Sequence, residues 1–547
     1  MPLFRSRSSS PPKPPDPLQT PSSAAAWFRT LPRTDAIGRQ QTVMRVIADA
    51  YVSDANLTPD RAAAIEYLDA ELAADRGRLI TQYVEHAQGS VAAANRIWQA
   101  AYDVSQAFIV AYQALFEHAL GRAQEPHWRE VIPRLLARLI HFYGTDAKLR
   151  VLKSEPWIPA KWMDLHGLYR RALDFAIARV PLAGPGGEGS RARSTIEQEY
   201  VAVLLTHQLN TGTLSPAEID WAAAEIRIWS AGLELRASDP AGRGFCVDVA
   251  GRAGLVRGDR PASASLRHLD TTPLTLQLDR ALAALRERAA TGSVAGRAQA
   301  LQRIAILEKL RPALCPEAPP ALPRDPRVKV SVLAQVRVGL AGICRELAPS
   351  ETRNLALDAP AGEAGDAEAF RVGAPSGERL WHIDNRSDTG WRIVGPVGIG
   401  HSLALGGLVA VREPSERAWV LGVVRRVARP MTERVEIGVS ILSARVFAVA
   451  LHAKRRSRDD MGFVVDGVDV STIGERFDAL YLPPPARPER PLDARSLVLP
   501  TSEYVSGRQL ILVTMRTVYT IALRLAVEQQ PEWTWATFDV VGRSPRD

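Results

Sequence analysis

The chain has 547 residues, too many for one core and enough for roughly three or four domains. Its 46% apolar content is that of a globular protein, and 68 basic against 60 acidic residues leave a net charge of +8, which permits an anionic partner without demanding one. Three cysteines, Cys246, Cys315 and Cys344, with no CxxC pair, argue against a disulfide framework or a structural zinc site and fit a reducing compartment.

The opening "MPLFRSRSSSPPKPPDPLQTPSS" lacks the apolar segment of a secretory signal, and its Pro and Ser density predicts a disordered tail over residues 1–26. No stretch reaches the ~18 apolar residues that span a bilayer. The expectation is a soluble cytoplasmic protein. Residues 27–314 read as an all-helical domain, a bundle or an α-solenoid. In "NRIWQAAYDVSQAFIVAYQALFEHAL", Ile97, Ala101, Val104, Phe108, Ala111 and Leu115 recur at spacings of three and four. Trp98, Tyr102, Ile109, Tyr112 and Phe116 form a second apolar face, so this helix is expected between others. Thr58–Pro59 and Ser215–Pro216 with Glu218 are helix starts, and Thr272–Pro273 repeats the device. No fixed-period repeat is present, and "GFCVDVAGRAGLV" reads as a small strand interruption.

The Pro-rich run over 315–327 is expected to be a linker. Beyond it come short β-branched runs: "LVAVRE", "AWVLGVVRRV", "RVEIGVSIL", "LVLPTSEYV", "LILVTM" and "VYTIALRLAVE". They predict an antiparallel all-β region of one or two small barrels or sandwiches. The charged stretch "AKRRSRDDMG" divides it into 328–452 and 453–547. The fold class is therefore multidomain α plus β.

No HExxH, GxSxG or P-loop occurs, so the chain reads as no enzyme, with no cofactor and no metal. "GPGGEG" follows a helical pattern rather than a strand and reads as a linker. His141, His166 and His207, amid aromatics on helices, read as core or capping residues. "KRRSRDD" reads as a solvated loop. Trp533 and Trp535 alternate as strand residues facing one core.

The exceptional segment is "ERLWHIDNRSDTGWRIVGP", two strands around a loaded polar turn. Within it Asn385, Ser387 and Gly390 spell Asn-x-Ser-x-x-Gly. Asn can hold an Asx turn and Ser a second local turn, while Gly390 is expected at positive φ or against another backbone. Such a turn can aim N–H groups at an anion, or merely shape a hairpin.

The strands that follow place Gly407 to Val411, Val423 to Arg425, and Gly438 to Ile441 after the turn. This order, over roughly residues 328–450, resembles the PilZ domain family. The resemblance implies a six-stranded barrel, the bacterial second messenger cyclic di-GMP as ligand, and Asn385, Ser387 and Gly390 as site residues. The family's Arg-x-x-x-Arg element is absent between residues 300 and 385, where Arg337, Arg345, Arg353, Arg371 and Arg379 stand at other spacings. Arg371, Arg379, Arg425 and Arg426 are then the nearest candidates for phosphate contacts. The missing pair predicts weak or no binding by the isolated segment 325–450, unless Arg371 or Arg379 folds back over the turn. The region 453–547 shares the strand rhythm without the signature, and reads as a second, degenerate barrel of the same kind.

The functional expectation is a cytoplasmic cyclic di-GMP receptor, or a degenerate relative, that signals to a protein partner through its helical half. The alternative is a ligand-independent scaffold for a motility, pilus or surface-polysaccharide complex. Nucleic-acid binding ranks last, because a basic face with interleaved aromatics is missing.

Overall fold

The computed structural model describes residues 16–49, 57–87, 91–183, 193–238, 244–258, 263–315, 326–347, 381–396, 403–416, 418–431, 433–454, 464–465, 468–469, 473–484, 494–514 and 516–545. The chain divides into two compact units, Met1–Ala321 and Leu322–Asp547.

The first unit runs α1 (Pro21–Phe28), α2 (Ala36–Asp49), α3 (Pro59–His86), α4 (Val91–Gly121), α5 (Pro126–Leu152), α6 (Pro159–Asp174), β1 (Leu182–Ala183), β2 (Arg193–Ser194), α7 (Ile196–Gln208) and α8 (Pro216–Trp229). It continues through β3 (Leu235–Arg236), β4 (Phe245–Asp248), β5 (Val256–Arg257), β6 (Leu266–Leu269), α9 (Thr272–Thr291) and α10 (Val294–Leu314). The start signals act as their chemistry requires. Thr58 accepts from the Arg61 amide, and Ser215 and Glu218 form a complete capping box. Helix α4 buries both of its apolar faces, because α3 and α5 pack on either side. Phe108 of α4 stacks on Phe142 of α5 with ring centroids 4.9 Å apart. The buried carboxylate of Asp69 is matched by Arg76, Arg138 and the Tyr112 hydroxyl, as a buried charge must be. His166 is likewise a satisfied core residue, between the Tyr200 hydroxyl and the Ala253 carbonyl.

Three expectations need correction here. The segment 1–26 is not wholly a tail: Thr20 and Ser23 form a capping box with Pro21 at the first helical position, and α1 follows. The same Pro and Ser that lower hydrophobicity also start a helix. The segment 27–314 is not all-helical, since β3, β6, β4 and β5 pair in that order into a four-stranded sheet. The segment "GFCVDVAGRAGLV", read as a strand interruption, does carry β4 and the start of β5, while β3 and β6, two and four residues long, are too short to imprint a period. The cap of α9 is Thr271, not Thr272, and its side chain makes no capping bond.

The second unit contains β7 (Val328–Val338), α11 (Leu340–Leu347), β8 (Trp381–Arg386), β9 (Gly390–Pro396), β10 (Leu408–Arg412), β11 (Val420–Met431) and β12 (Arg434–Ser443). Next come β13 (Phe447–Lys454), the hairpin β14 (Val464–Val465) and β15 (Val468–Asp469), β16 (Ile473–Leu482), β17 (Ser496–Pro500), β18 (Gln509–Val513), β19 (Thr517–Gln529) and β20 (Trp533–Pro545). They form two closed antiparallel barrels of six strands, β7-β8-β9-β12-β11-β10 and β13-β16-β17-β20-β19-β18. Numbered by chain order within each barrel, both close as first, second, third, sixth, fifth, fourth. The second barrel thus repeats the connectivity of the first.

Alternation fills each interior. In β12, Val435, Ile437 and Val439 point inward, with Glu436, Gly438 and Ser440 between them. Strands β10 and β17 break this rule with continuous apolar runs, "LVAVR" and "SLVLP". They are buried on both faces, because the barrels share a third apolar cluster. Leu408, Ala410, Leu421 and Val423 of the first barrel meet Ala448, Leu480, Val498 and Trp533 of the second. Ile343, Cys344 and Leu347 of α11 belong to this seam, and burial, then Asp478, pushes the Cys344 thiol up to about 12. Trp533 and Trp535 do face one core, and it is this seam. The expected boundary at 452/453 cuts through β13; the changeover lies in the short link 444–446, while the charge run falls in the β13–β16 connection.

Candidate functional site

The hairpin of β8 and β9 carries the polar turn. Ser387 closes it: its amide and its hydroxyl both donate to the Gly390 carbonyl, at 2.8 and 3.1 Å. Next, the Ile441 amide of β12 donates to the Thr389 carbonyl at 3.0 Å. Gly390 is not among the described glycines of positive φ. It does lie against another backbone, for a Cβ built there would stand 3.0 Å from the Val439 carbonyl oxygen. Glycine is favoured here by the close approach of β12, since a Cβ would need that carbonyl to give way by a few tenths of an ångström. Ser387 and Gly390 therefore set the turn.

Asn385 differs. A register shift between Ile383 and Asn385 re-aims the end of β8. The Oδ1 atom of Asn385 is buried and has no hydrogen-bond donor among the described residues. A buried acceptor left unpaired costs about 1–3 kcal/mol, so it is a candidate seat for an incoming N–H.

Beside the turn lies an open cleft of about 480 Å3 lined by Val328, Arg386, Ser387, Asp388, Trp391 and Val420 among others. Arg386 pairs across the strands with Trp391, placing a guanidinium and an indole at one mouth. The guanidinium meets Glu413 at 3.0 Å and stays about half exposed, at 49%. Such an exposed pair contributes little, on the order of 0–1 kcal/mol, and can exchange its carboxylate for another anion. Arg327 stands exposed between the cleft residues Pro326 and Val328.

The arginines expected from sequence fare differently. Arg371 and Arg379 lie outside the described residues. Arg425 is not at the cleft: its two terminal nitrogens grip both oxygens of Glu528 of the second barrel, at 2.7 and 2.6 Å. Burial alone would raise the Glu528 carboxyl, but the hydrogen bonds from Arg425 and Gln530 outweigh it and hold it below its ordinary value. Arg425 is a cross-barrel tie, because the outward face of β11 beyond Val423 meets the second barrel. Arg426 is exposed on the outer wall, its Cβ over Gly438, where a Cβ would sit 3.1 Å away. It makes no ion pair among the described residues. Sequence reasoning passed over Arg386 and Trp391, although both abut the motif: one is its variable second position, the other follows Gly390.

"GPGGEG" and "KRRSRDD" fall largely outside the described residues. Among the described residues no cluster of His, Cys, Asp and Glu could hold a metal ion, and no helix is long and apolar enough to cross a membrane.

Residues 22–240 match the family described as cyclic-di-GMP receptor FimW, N-terminal domain. The match covers the helices from α1 to α8 and ends before β4. No curated protein matches the chain.

Proposed function

We propose that this chain is a cytoplasmic, non-enzymatic cyclic di-GMP receptor whose first barrel is PilZ-like and takes the nucleotide at the turn of residues 385–390. The unpaired buried Oδ1 of Asn385, whose chain neighbours Arg386 and Ser387 line the cleft, carries this reading. Guanine offers N–H donors that Asn385 can accept, and Trp391 offers a ring edge or face for the base. Arg386, released from Glu413, and Arg327 supply cations for the phosphates. The match of residues 22–240 to a cyclic di-GMP receptor's N-terminal domain supports it independently, since those residues contain none of this turn. The helical half would pass the signal to a protein partner. No cofactor enters the reading.

The second reading, a scaffold that works without ligand, is favoured by Arg425, which Glu528 occupies, and by the missing Arg-x-x-x-Arg spacing.

Calorimetric titration of the full chain with cyclic di-GMP at moderate salt tests the two. The first barrel shares its seam with the second, so the isolated segment 325–450 would expose Leu421 and Val423 and is the poorer sample. Binding that weakens at least tenfold in Asn385→Ala and in Arg386→Ala, with unchanged melting, supports the receptor. No heat from a folded chain leaves the scaffold.

A further inference from the structure

The cleft of the first barrel and the seam to the second are two sides of one wall. Side chains of a strand alternate between its faces. At the start of β11, Val420 lines the cleft and Leu421 enters the seam. At the end of β12, Ile441 lines the cleft and Leu442 packs on the seam. In the link that follows, Ala444 lines the cleft and Val446 belongs to the seam, one residue before β13 opens the second barrel. At each of these three places a side chain facing the cleft is joined, within two residues, to one that holds the second barrel.

The wall is irregular at this place. The ladder between β11 and β12 shifts register between Leu421 and Gly422, so that Leu421 stands opposite Ser443 and Gly422 opposite Ile441. Such a bulge interrupts the ladder and gives the strand a point at which to bend. Gly422 lies tight under β12, where a Cβ would overlap Val439 Cγ1. Close packing of this kind passes a displacement on instead of absorbing it. Beyond the seam residues β11 carries Arg425, whose guanidinium grips Glu528 of the second barrel. One strand therefore runs from the cleft through the seam to the cross-barrel ion pair.

These contacts place the two features in one equilibrium. When the seam opens, Leu421, Leu442 and Val446 leave their partners. Val420, Ile441 and Ala444, joined to them in the chain, then lose the positions that form the cleft. An occupant of the cleft favours the closed seam by mass action. We propose that cleft and seam are coupled: a ligand seated in the cleft closes the seam and fixes the second barrel on the first. The second barrel, which carries no ligand motif of its own, is then the first part of the chain to respond. This deepens the reading above and rests on it only for the identity of the occupant.

Cys344 of α11 is a natural reporter, since it lies in the seam, is 3% exposed, and is shielded from reagents until the seam opens. The full chain is treated with N-ethylmaleimide, with and without cyclic di-GMP, and labelling at each cysteine is followed by peptide mass spectrometry. Nucleotide at ten times its Kd should slow labelling of Cys344 about tenfold. Cys246 and Cys315, buried in the first unit, are internal controls and should label at unchanged rates. A second arm needs no nucleotide. Val420→Ala and Ile441→Ala, which trim the cleft side of the wall, should speed labelling of Cys344 several fold. Ile437→Val, inside the same barrel and four residues before Ile441, should not. Should Val420→Ala fail to fold, Val420→Thr, of nearly the same shape, gives the same readout. Nucleotide that binds in dependence on Asn385 yet leaves Cys344 unprotected overturns the proposal. Cleft substitutions that speed labelling no more than Ile437→Val overturn it too. An absence of heat with cyclic di-GMP would sink the nucleotide reading alone, and the second arm would then decide the coupling by itself.

Discussion

Trp533→Ala should loosen both barrels, not only the one that contains it. Trp533 is 2% exposed, packs against both barrels in the shared seam, and donates its indole N–H to the Gly406 carbonyl at 2.9 Å. Truncating a buried large aromatic to Ala costs about 3–5 kcal/mol, and the lost hydrogen bond adds about 1 kcal/mol. A net loss of roughly 5 kcal/mol corresponds to a rise of about four-thousandfold in the open population. Hydrogen exchange followed by mass spectrometry on the full chain reads this by segment. Peptides from β17 and β20 should lose protection, and so should peptides from β10 and β11. Trp533→Phe should produce a smaller shift in the same two places. Faster exchange confined to β17 and β20 would refute the reasoning, because it would mean that the first barrel draws no stability from the seam.

Gly390→Ala should destabilise by about 1 kcal/mol through contact with the Val439 carbonyl, and Gly406→Ala by more, since Gly406 has φ +77° and its Cβ would stand 2.4 Å from Gln530 Oε1; chemical denaturation of the two variants checks the ranking. Acid should weaken the first unit in two stages. Burial lowers the His207 pKa to about 4, so between its ordinary value near 6.5 and 4 the unfolded chain binds a proton that the folded one does not, and stability falls as pH falls, by up to about 3 kcal/mol. Burial would raise Glu199, but His141, Arg227 and Ser194 outweigh it and hold its carboxyl near 2, so its contribution is present above 4.5 and lost toward 2. Burial also lowers His141 and His166, so His207→Gln should make the first stage shallower without abolishing it, and leave the second unchanged, in melting curves recorded from about pH 7 down to about 2.

The parts legible in the sequence were those carried by local chemistry. Thr58–Pro59 and the Ser215–Glu218 box mark their helices because a cap is satisfied within four residues. The two apolar faces of α4 announce its sandwiched place, and Asn385, Ser387 and Gly390 do share a turn. What the sequence hid was set by distant partners. Arg425 reads as a free cation until Glu528, 103 residues away, is brought to it. The continuous apolar runs of β10 and β17 signal strands covered on both faces, but nothing local says that each covers the other's barrel. Thr20 and Pro21 were masked by the Pro and Ser around them. Of the small sheet, "GFCVDVAGRAGLV" betrayed β4 and β5, whereas β3 and β6 were too brief to stand out.

Closure of the two barrels restricts how anything can attach to this chain. A strand at a sheet edge offers a row of unpaired amides and carbonyls that any extended peptide can extend, with little regard for its side chains. Both six-stranded sheets close on themselves, so neither has a terminal strand, and the edges of the four-stranded sheet, β3 and β5, are two residues long. Among the described residues backbone-templated recruitment is therefore confined to short edges and to strand overhangs such as the ends of β11 and β19. A companion molecule must be selected by its side chains, and unwanted polymerisation through strand pairing is suppressed by the same geometry.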